Sequence, residues 1–409
     1  YIYSIEGKDS KLIGKPTDLR QYGMESFVAE EFFLSMDCTK LTVISSGVDK
    51  TSRNYVQMTK IITLDVSDPA NVQEISNVDV SGMYLSSRLT EHGLLIMTTM
   101  RCHDPDYDDE RTYIPRIEHN GNAQSIPSDS IICPDKLSQA SYTVMLLMDD
   151  VGTTVKDAAA YLSYSEDIYV SHNAIYATRR YTENGQTQNG YTPYATVSEI
   201  SCIGYSADGF DKRGSVIVDG YVLDQYSMDE YEGMLRVFTT TQQSSKAVNS
   251  YYGNREIALM PARGGNTSAS LFVIDLATMQ IAASVEKFAP VGEVVKSARF
   301  EGNTAYACTA IQQTDPVFFF DLSDLNHITY KDTGTIEGFS TSLINLGNGY
   351  LLGIGRGDSW SSVKIEIYEE SKDGVISVCS YEIPSGSYST EYKSYFIDRE
   401  NKLIGFGAD

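Results

Sequence analysis

Apolar residues in this chain come in short runs that close on an acidic, hydroxyl-bearing turn. Leu271–Asp275 and Val317–Asp321, the latter followed by Leu322, Ser323 and Asp324, show the pattern most plainly. Ile61–Asp65 with Val66, Ser67 and Asp68 is an earlier copy, and Val144–Asp150 and Ile365–Glu370 are weaker ones. Runs of this length, rich in Val, Ile and Phe and bounded by turn residues, predict β-strands. Before each lies a second pair of strand-like runs joined through a tight polar turn, as in Ala298–Ala307 around Gly302-Asn303, or Leu343–Ile354 around Gly347-Asn348-Gly349. Tyr169–Ala177 and Tyr226–Val237 follow the same plan. No long segment carries apolar residues at helical spacing, so little helix is expected.

The repeat sets the architecture. Asp321 follows Asp275 by 46 residues and Glu369 follows Asp321 by 48, a period that belongs to propeller blades of four strands. Blades are expected near 24–82, 83–167, 168–224, 225–292, 293–338 and 339–388. Tyr395–Phe406 reads as two inner strands, and Tyr1–Ile5 with Lys11–Lys15 as two outer ones. Together they would make a seventh blade shared by the two ends of the chain, which removes an open sheet edge. The expected fold is therefore all-β: a seven-bladed propeller of four-stranded antiparallel blades, with six or eight as the alternative counts. Loop insertions near 101–140, 180–196 and 240–265 leave about 47 residues per blade for seven. Residues 1–409 are read as a single domain, with 101–140 as an acidic insertion that packs as a flap over one face.

The stretches Ser297–Tyr306, Gln313–Ser323, Gly338–Thr341 and Gly349–Arg356 resemble a family of bacterial and archaeal secreted β-propeller proteins, distantly related to WD40 repeats. Tyr84–Arg88, Tyr113–Arg116, Ser141–Val144 and Gln225–Tyr231 extend the resemblance in order over about 24–409. Ser389–Tyr395 is shorter than the family pattern, which carries a His there. The resemblance implies export and a propeller; it implies no reaction and no catalytic residues.

Composition narrows the partners. A net charge of −23 repels the phosphate backbone, so nucleic acid is not an expected partner. No apolar run reaches the roughly 20 residues that cross a bilayer. The first residues, Tyr1–Gly7, have neither initiator Met nor signal-peptide layout, and the chain reads as a mature chain or an excised segment. The 29 tyrosines suit strands with one face buried and phenolic tips in water, as on exported surface proteins. A secreted or cell-surface monomer is expected. The six cysteines show no CxxC spacing. Cys202, Cys308 and Cys379 sit in strand-like runs and read as core thiols. Cys102 and Cys133 flank the irregular insertion and are the candidate disulfide, which in an oxidising compartment would close a long loop.

Motifs for chemistry are sparse. The sequence holds no GxSxG, HExxH or GxxxxGK[ST] motif. His172 and His327 stand beside Asn in expected hairpins and read as turn residues. In Cys102–Glu110, Asp104, Asp106 and Asp108 alternate as oxygen ligands do in calcium loops, making calcium the one candidate cofactor. The match breaks off, because no Gly follows at the sixth position and Pro115 stands where a closing Glu is needed; a solvated acidic loop is the plainer reading. A zinc site from Cys102, His103, His119 and Cys133 has poorly spaced ligands.

Propellers bind at the channel mouth, through loops that lead into each innermost strand. Arg88 and Arg299, at equivalent repeat positions, are the candidate ligand-binding cations there, with ties to neighbouring carboxylates as the structural alternative. Tyr84, Tyr226 and Tyr388 are candidates to stack on a sugar or peptide. The expected function is a non-enzymatic extracellular recognition or scaffold module for a protein or a cell-surface glycan. The alternative is a carbohydrate-active hydrolase or lyase with Asp229, Glu230 or Glu391 as acid and base.

Overall fold

The computed structural model describes residues 3–6, 9–13, 18–19, 27–49, 56–102, 105–134, 140–165, 167–186, 191–247, 250–252, 255–257, 266–310, 314–332, 336–337, 339–357, 362–371, 374–384, 395–398 and 400–406. Among these residues no α-helix occurs; β-strands are joined by turns and short 3-10 segments. A hairpin of β1 (Tyr3–Glu6) and β2 (Asp9–Leu12) forms a sheet of its own. Then come six antiparallel meanders of four strands.

The first meander is β3 (Phe27–Leu34), β4 (Lys40–Asp49), β5 (Val56–Asp65) and β6 (Gln73–Ser81). The second begins with β7 (Met83–Thr90) and β8 (Gly93–Arg101). The 101–140 insertion then supplies β9 (Arg116–His119), β10 (Asn122–Ser125) and β11 (Ile131–Ile132), before β12 (Ser141–Met148) and β13 (Val155–Tyr161) complete the meander. The third is β14 (Ile168–Val170), β15 (Ala174–Asn184), β16 (Tyr191–Ser206) and β17 (Gly209–Asp219). In the fourth, β18 (Met228–Tyr231) and β19 (Met234–Ala247) precede a small hairpin, β20 (Ser250–Tyr252) and β21 (Arg255–Ile257). Its last strands are β22 (Asn266–Asp275) and β23 (Gln280–Val285). The fifth is β24 (Val294–Glu301), β25 (Thr304–Ala310), β27 (Val317–Asp321) and β28 (Thr329–Asp332), with β26 (Thr314–Asp315) and β29 (Ile336–Glu337) paired outside it. The sixth is β30 (Phe339–Gly347), β31 (Tyr350–Arg356), β32 (Val363–Ser371) and β33 (Gly374–Ile383), and a hairpin of β34 (Tyr395–Asp398) and β35 (Leu403–Phe406) follows.

The acidic runs seen in the sequence are the third strands, β5, β12, β22, β27 and β32. The closing aspartates of β5 and β27 fold back as Asx turns: Asp65 Oδ1 accepts from Ser67 N at 2.9 Å, and Asp321 Oδ1 from Ser323 N at 3.0 Å. These bonds, with those from the two serine hydroxyls, hold both carboxyls below their usual pKa.

Two irregularities recur at matching places. On first strands the register skips one residue, at Glu30, Leu85, Lys296 and Thr341. On fourth strands it skips one at Ile75, Lys156, Ala282 and Val378. Such bulges sharpen twist, and on an outer strand they spoil the flat template that another chain would pair with.

Buried hydroxyls tie four of the five crossovers between meanders. Thr59, Thr143, Ser198 and Ser268, all on third strands, donate to the carbonyls of Gly82, Ser163, Gly220 and Ala289 at 2.9, 3.3, 2.8 and 2.8 Å. Those carbonyls lie where the chain leaves its sheet, and the hydroxyl satisfies a group that burial would otherwise penalise.

Polar stretches expected to be loops instead lengthen strands. Residues 191–195 of β16 pair with 243–247 of β19, and the third and fourth meanders become one eight-stranded sheet. The 101–140 insertion pairs at outer edges rather than lying over a face. β9 adds to β6, with β10 beyond it, and β11 runs parallel to β13.

Contacts divide the chain into two compact units, one of Tyr1–Ser165, His172–Ile175 and Cys202–Arg213, the other of Glu166–Ser171, Tyr176–Ser201 and Gly214–Asp409. In the first, Ile44, Ile61, Val78 and Val80 of the first sheet meet Leu94, Ile96, Val144 and Leu146 of the second. Ile126 and the half-buried Ile117 and Ile131 of the insertion seal that core. In the second unit, Phe238, Phe288, Phe300, Phe318 and Phe320 form an aromatic core, with Phe288 and Phe320 ring centroids 4.8 Å apart and edge-on.

Candidate functional site

The expected site residues fall at two ends of their strands. Tyr84 opens β7 and Tyr226 lies in the turn before β18, both where a loop leads into a first strand. Tyr84 OH shares a hydrogen bond with Ser87 Oγ at 2.8 Å. Arg88 and Arg299 do hold equivalent positions, each two residues before the tight turn that closes its first strand, opposite Leu95 and Tyr306. That is the far end of the strand, four residues and about 13 Å beyond Tyr84 in the case of Arg88. Arg88 Nη1 donates to Ser87 O at 3.0 Å, and Arg299 Nη2 lies 3.7 Å from Glu301 Oε2. Tyr388, Asp104 and Glu391 lie outside the described residues.

The acidic run does not gather into a calcium loop among the described residues. Asp106 Oδ1 accepts from Asp108 N at 3.0 Å, and Asp109 grips Arg111 through Nε at 2.8 Å and Nη2 at 2.7 Å. No three His, Cys, Asp or Glu side chains among the described residues converge on a metal position. Cys102 and Cys133 carry free thiols rather than a disulfide. The sheet order explains this: Cys102 follows β8 and Cys133 follows β11, and those strands are separated by β12 and β13. Three strand spacings are about 14 Å, against a Cα separation below about 7 Å in a disulfide. Burial raises the Cys102 thiol above its ordinary pKa. Among the described residues no helix is long and apolar enough to cross a membrane.

The carboxylates of the hydrolase alternative are occupied. Asp229 is ion-paired with Arg236, while Glu230 Oε2 accepts from Tyr176 OH at 2.6 Å. As neighbours on β18 they point to opposite faces of the strand, so they do not converge on one substrate.

What the structure does assemble is a small open recess, about 20 Å³, at the loop end of the first sheet. Val56, Met58 and Ser81 line it together with Asp49, Asp79, Arg111, Arg116 and Glu118. Register creates the charge row: Lys60 stands opposite Asp79, and Asp79 stands opposite Glu118 across the β6–β9 junction. Lys60 Nζ lies 2.6 Å from Asp79 Oδ1, Arg116 Nη2 lies 2.8 Å from Glu118 Oε2, and Arg111 Nη1 reaches Asp49 Oδ2 at 3.4 Å. Burial pushes the Asp79 carboxyl up; Lys60 opposes that, and the charges of Glu118 and Asp49 add to it. Asp109 raises the Arg111 guanidinium further. On the other face of the same strands, His119 Nε2 lies 3.4 Å from Ser76 Oγ, which donates to Thr153 O at 3.1 Å and so is not poised as a nucleophile.

Residues 1–408 match the family model of the beta propeller domain. This chain belongs to the beta-propeller family. Two curated relatives are uncharacterized archaeal proteins. One, from Methanocaldococcus jannaschii, is 26% identical over 223 residues, which are 53% of this chain and 32% of that protein. The other, from Archaeoglobus fulgidus, is 27% identical over 161 residues, 39% of this chain and 22% of that protein. The chain thus spans about a third or less of the curated relatives it matches. Solved structures similar to this propeller include a Pyrococcus horikoshii acylaminoacyl peptidase, at 7% identity and a TM-score of 0.31 over 88% of this chain and 53% of that one. A post-proline cleaving enzyme from Rickettsia typhi gives 8% identity and a TM-score of 0.32 over 93% of this chain and 48% of that one.

Proposed function

We propose that this propeller is a non-enzymatic recognition module of the secreted, WD40-related kind, a monomer exposed at the cell surface that binds a protein or a glycan there through its loops. The supporting observation is the recess itself: a loop end that gathers Arg111, Arg116, Asp49, Asp79 and Glu118, residues of both charges, beside an apolar floor of Val56 and Met58. Groups of opposite sign around an apolar patch favour polar, hydrogen-bonding ligands by complementarity. The test is a glycan array and a pull-down from surface extracts with the wild-type propeller and the Arg116→Ala variant. Capture of one class of ligand, weakened in the variant, is expected; no ligand on either screen overturns the reading.

The module is proposed to be one closed ring of seven sheets, the two terminal hairpins forming the seventh. Uncovered apolar surface supports this. On the first sheet, Phe32 and Leu34 are 69% and 51% exposed on the face that carries Val43 and Ile62, turned away from the second meander. On the sixth sheet, Ile344, Ile365, Ile367 and Ile383 are only half-buried around Leu352 and Ile354, with Tyr381 65% exposed beside them. A further sheet of four short strands would cover such faces, at about 25 cal/mol per Å² of apolar area removed from water.

A further inference from the structure

We infer that the insertion hairpin β9–β10 is an acid-stabilised clasp on the outer edge of the first sheet, one that opens as pH rises. Three residue pairs join the hairpin to β6, Val78 to His119, Asp79 to Glu118 and Val80 to Ile117, and Ile117 and Ile126 pack into the core beneath it. Beyond them, Asn120 N donates to Asn77 O at 2.8 Å and Arg116 N to Ser81 Oγ at 3.0 Å. β10 is exposed along its whole length.

At the centre of this junction two carboxylates, Asp79 and Glu118, stand directly across from one another. Like charges so placed on adjacent strands repel. The groups that face Asp79 are Lys60 from β5, Asp49 from the end of β4, Arg111 from the turn before β9, and Arg116 and Glu118 from β9 itself. Lys60 is its one close cation, Arg116 is drawn to Glu118, and Arg111 to Asp109 and Asp49. Docking β9 brings a second negative charge against this carboxylate and shuts it further from water, and a proton on Asp79 relieves both penalties. Undocking gives Asp79 back to water. Because docking holds the carboxyl above its solvent value, the docked state binds more protons, and its advantage is complete below the ordinary carboxylate range and lost as pH rises through the docked pKa. Whatever ligand the recess takes, three of its walls, Arg111, Arg116 and Glu118, come from the insertion, so opening the clasp would dismantle it.

Hydrogen–deuterium exchange of the intact chain tests this. After correction for intrinsic exchange, opening of residues 116–126 should rise severalfold between pH 4.5 and 7.5. The core strand β12 serves as the internal reference and should stay protected throughout. In Asp79→Asn the slope should vanish while the hairpin stays protected at high pH. Should that variant loosen β12 as well, Glu118→Gln, altered at a partly exposed position, decides with the same expectation. Opening that is independent of pH in the wild type, or a slope unchanged in the deciding variant, overturns the inference.

Discussion

Replacing Arg236 by Met should be among the most damaging single changes to the second unit. Arg236 lies on β19, its side chain 4% exposed, and it ties the fourth meander to the fifth. Its guanidinium is ion-paired and hydrogen-bonded to Asp229, donates to the Gly302 carbonyl in the β24–β25 turn, and lies 4.7 and 5.0 Å from the ring centroids of Tyr231 and Phe300. Methionine keeps much of the stem volume but none of these bonds. Hydrogen bonds to a charged group contribute about 1.5–3 kcal/mol, and each cation–π contact adds about 0.5–1 kcal/mol. Removing one partner of a fully buried pair costs about 3–5 kcal/mol. Asp229 keeps 29% of its exposure and can rehydrate, which lowers that penalty. The net expectation is a loss of about 2–4 kcal/mol. Urea unfolding followed by far-ultraviolet circular dichroism reads it as a lowered midpoint. A cycle with Asp229→Asn should return a coupling of about 1–3 kcal/mol, since the two residues touch. A loss below about 0.5 kcal/mol, or purely additive effects, would refute the reasoning.

Other expectations concern smaller groups. Thr59→Val keeps the shape but strips the hydroxyl from the Gly82 carbonyl at a fully buried site, and thermal unfolding should report a loss of about 1–3 kcal/mol; an unchanged midpoint contradicts it. Glu293 is buried, accepts from Thr309, and is pushed up in pKa by burial. Its favourable share is therefore present below the unfolded carboxylate value and lost as pH rises through the folded one, so Glu293→Gln should raise the melting temperature at pH 7 and not at pH 4. Hydrogen bonds from Ser35 and Thr39 lower the Asp37 carboxyl to about 2. Carbon-13 NMR should find it titrating there in the wild type and closer to the ordinary value in Ser35→Ala, so that whatever this turn contributes is present above the unfolded value and fades as pH falls through about 2.

The meander limits are legible because most third strands announce themselves twice, by an apolar run and by an acidic residue at its end, which in β5, β22 and β27 folds back as an Asx turn. Asp275, Asp321 and Glu369 mark the same place in successive sheets. The period says nothing about which end of a strand a residue occupies, so it equates Arg88 and Arg299 without placing them relative to Tyr84. Threonine- and tyrosine-bearing polar stretches near 191 and 243 read as loops because their partners are each other, some 50 residues apart, and no local pattern carries that pairing. The recess was hidden for the same reason. Lys60, Asp79 and Glu118 meet only through the register of β5, β6 and β9, whereas the acidic run at Cys102–Glu110 is contiguous in sequence. One local cue existed: an aspartate between two valines, Val78 and Val80, on a strand whose neighbours are buried.

The central claim is a ring closed by its own ends. It is tested most directly by spin labels at Lys11→Cys in β2 and Lys402→Cys in the β34–β35 turn, with the six native cysteines replaced, and the distance between them measured by pulsed electron resonance. Four strands side by side span about 14 Å, so a shared seventh sheet predicts one narrow distribution below roughly 30 Å once the label arms are included. A broad distribution centred well beyond that distance would contradict the account.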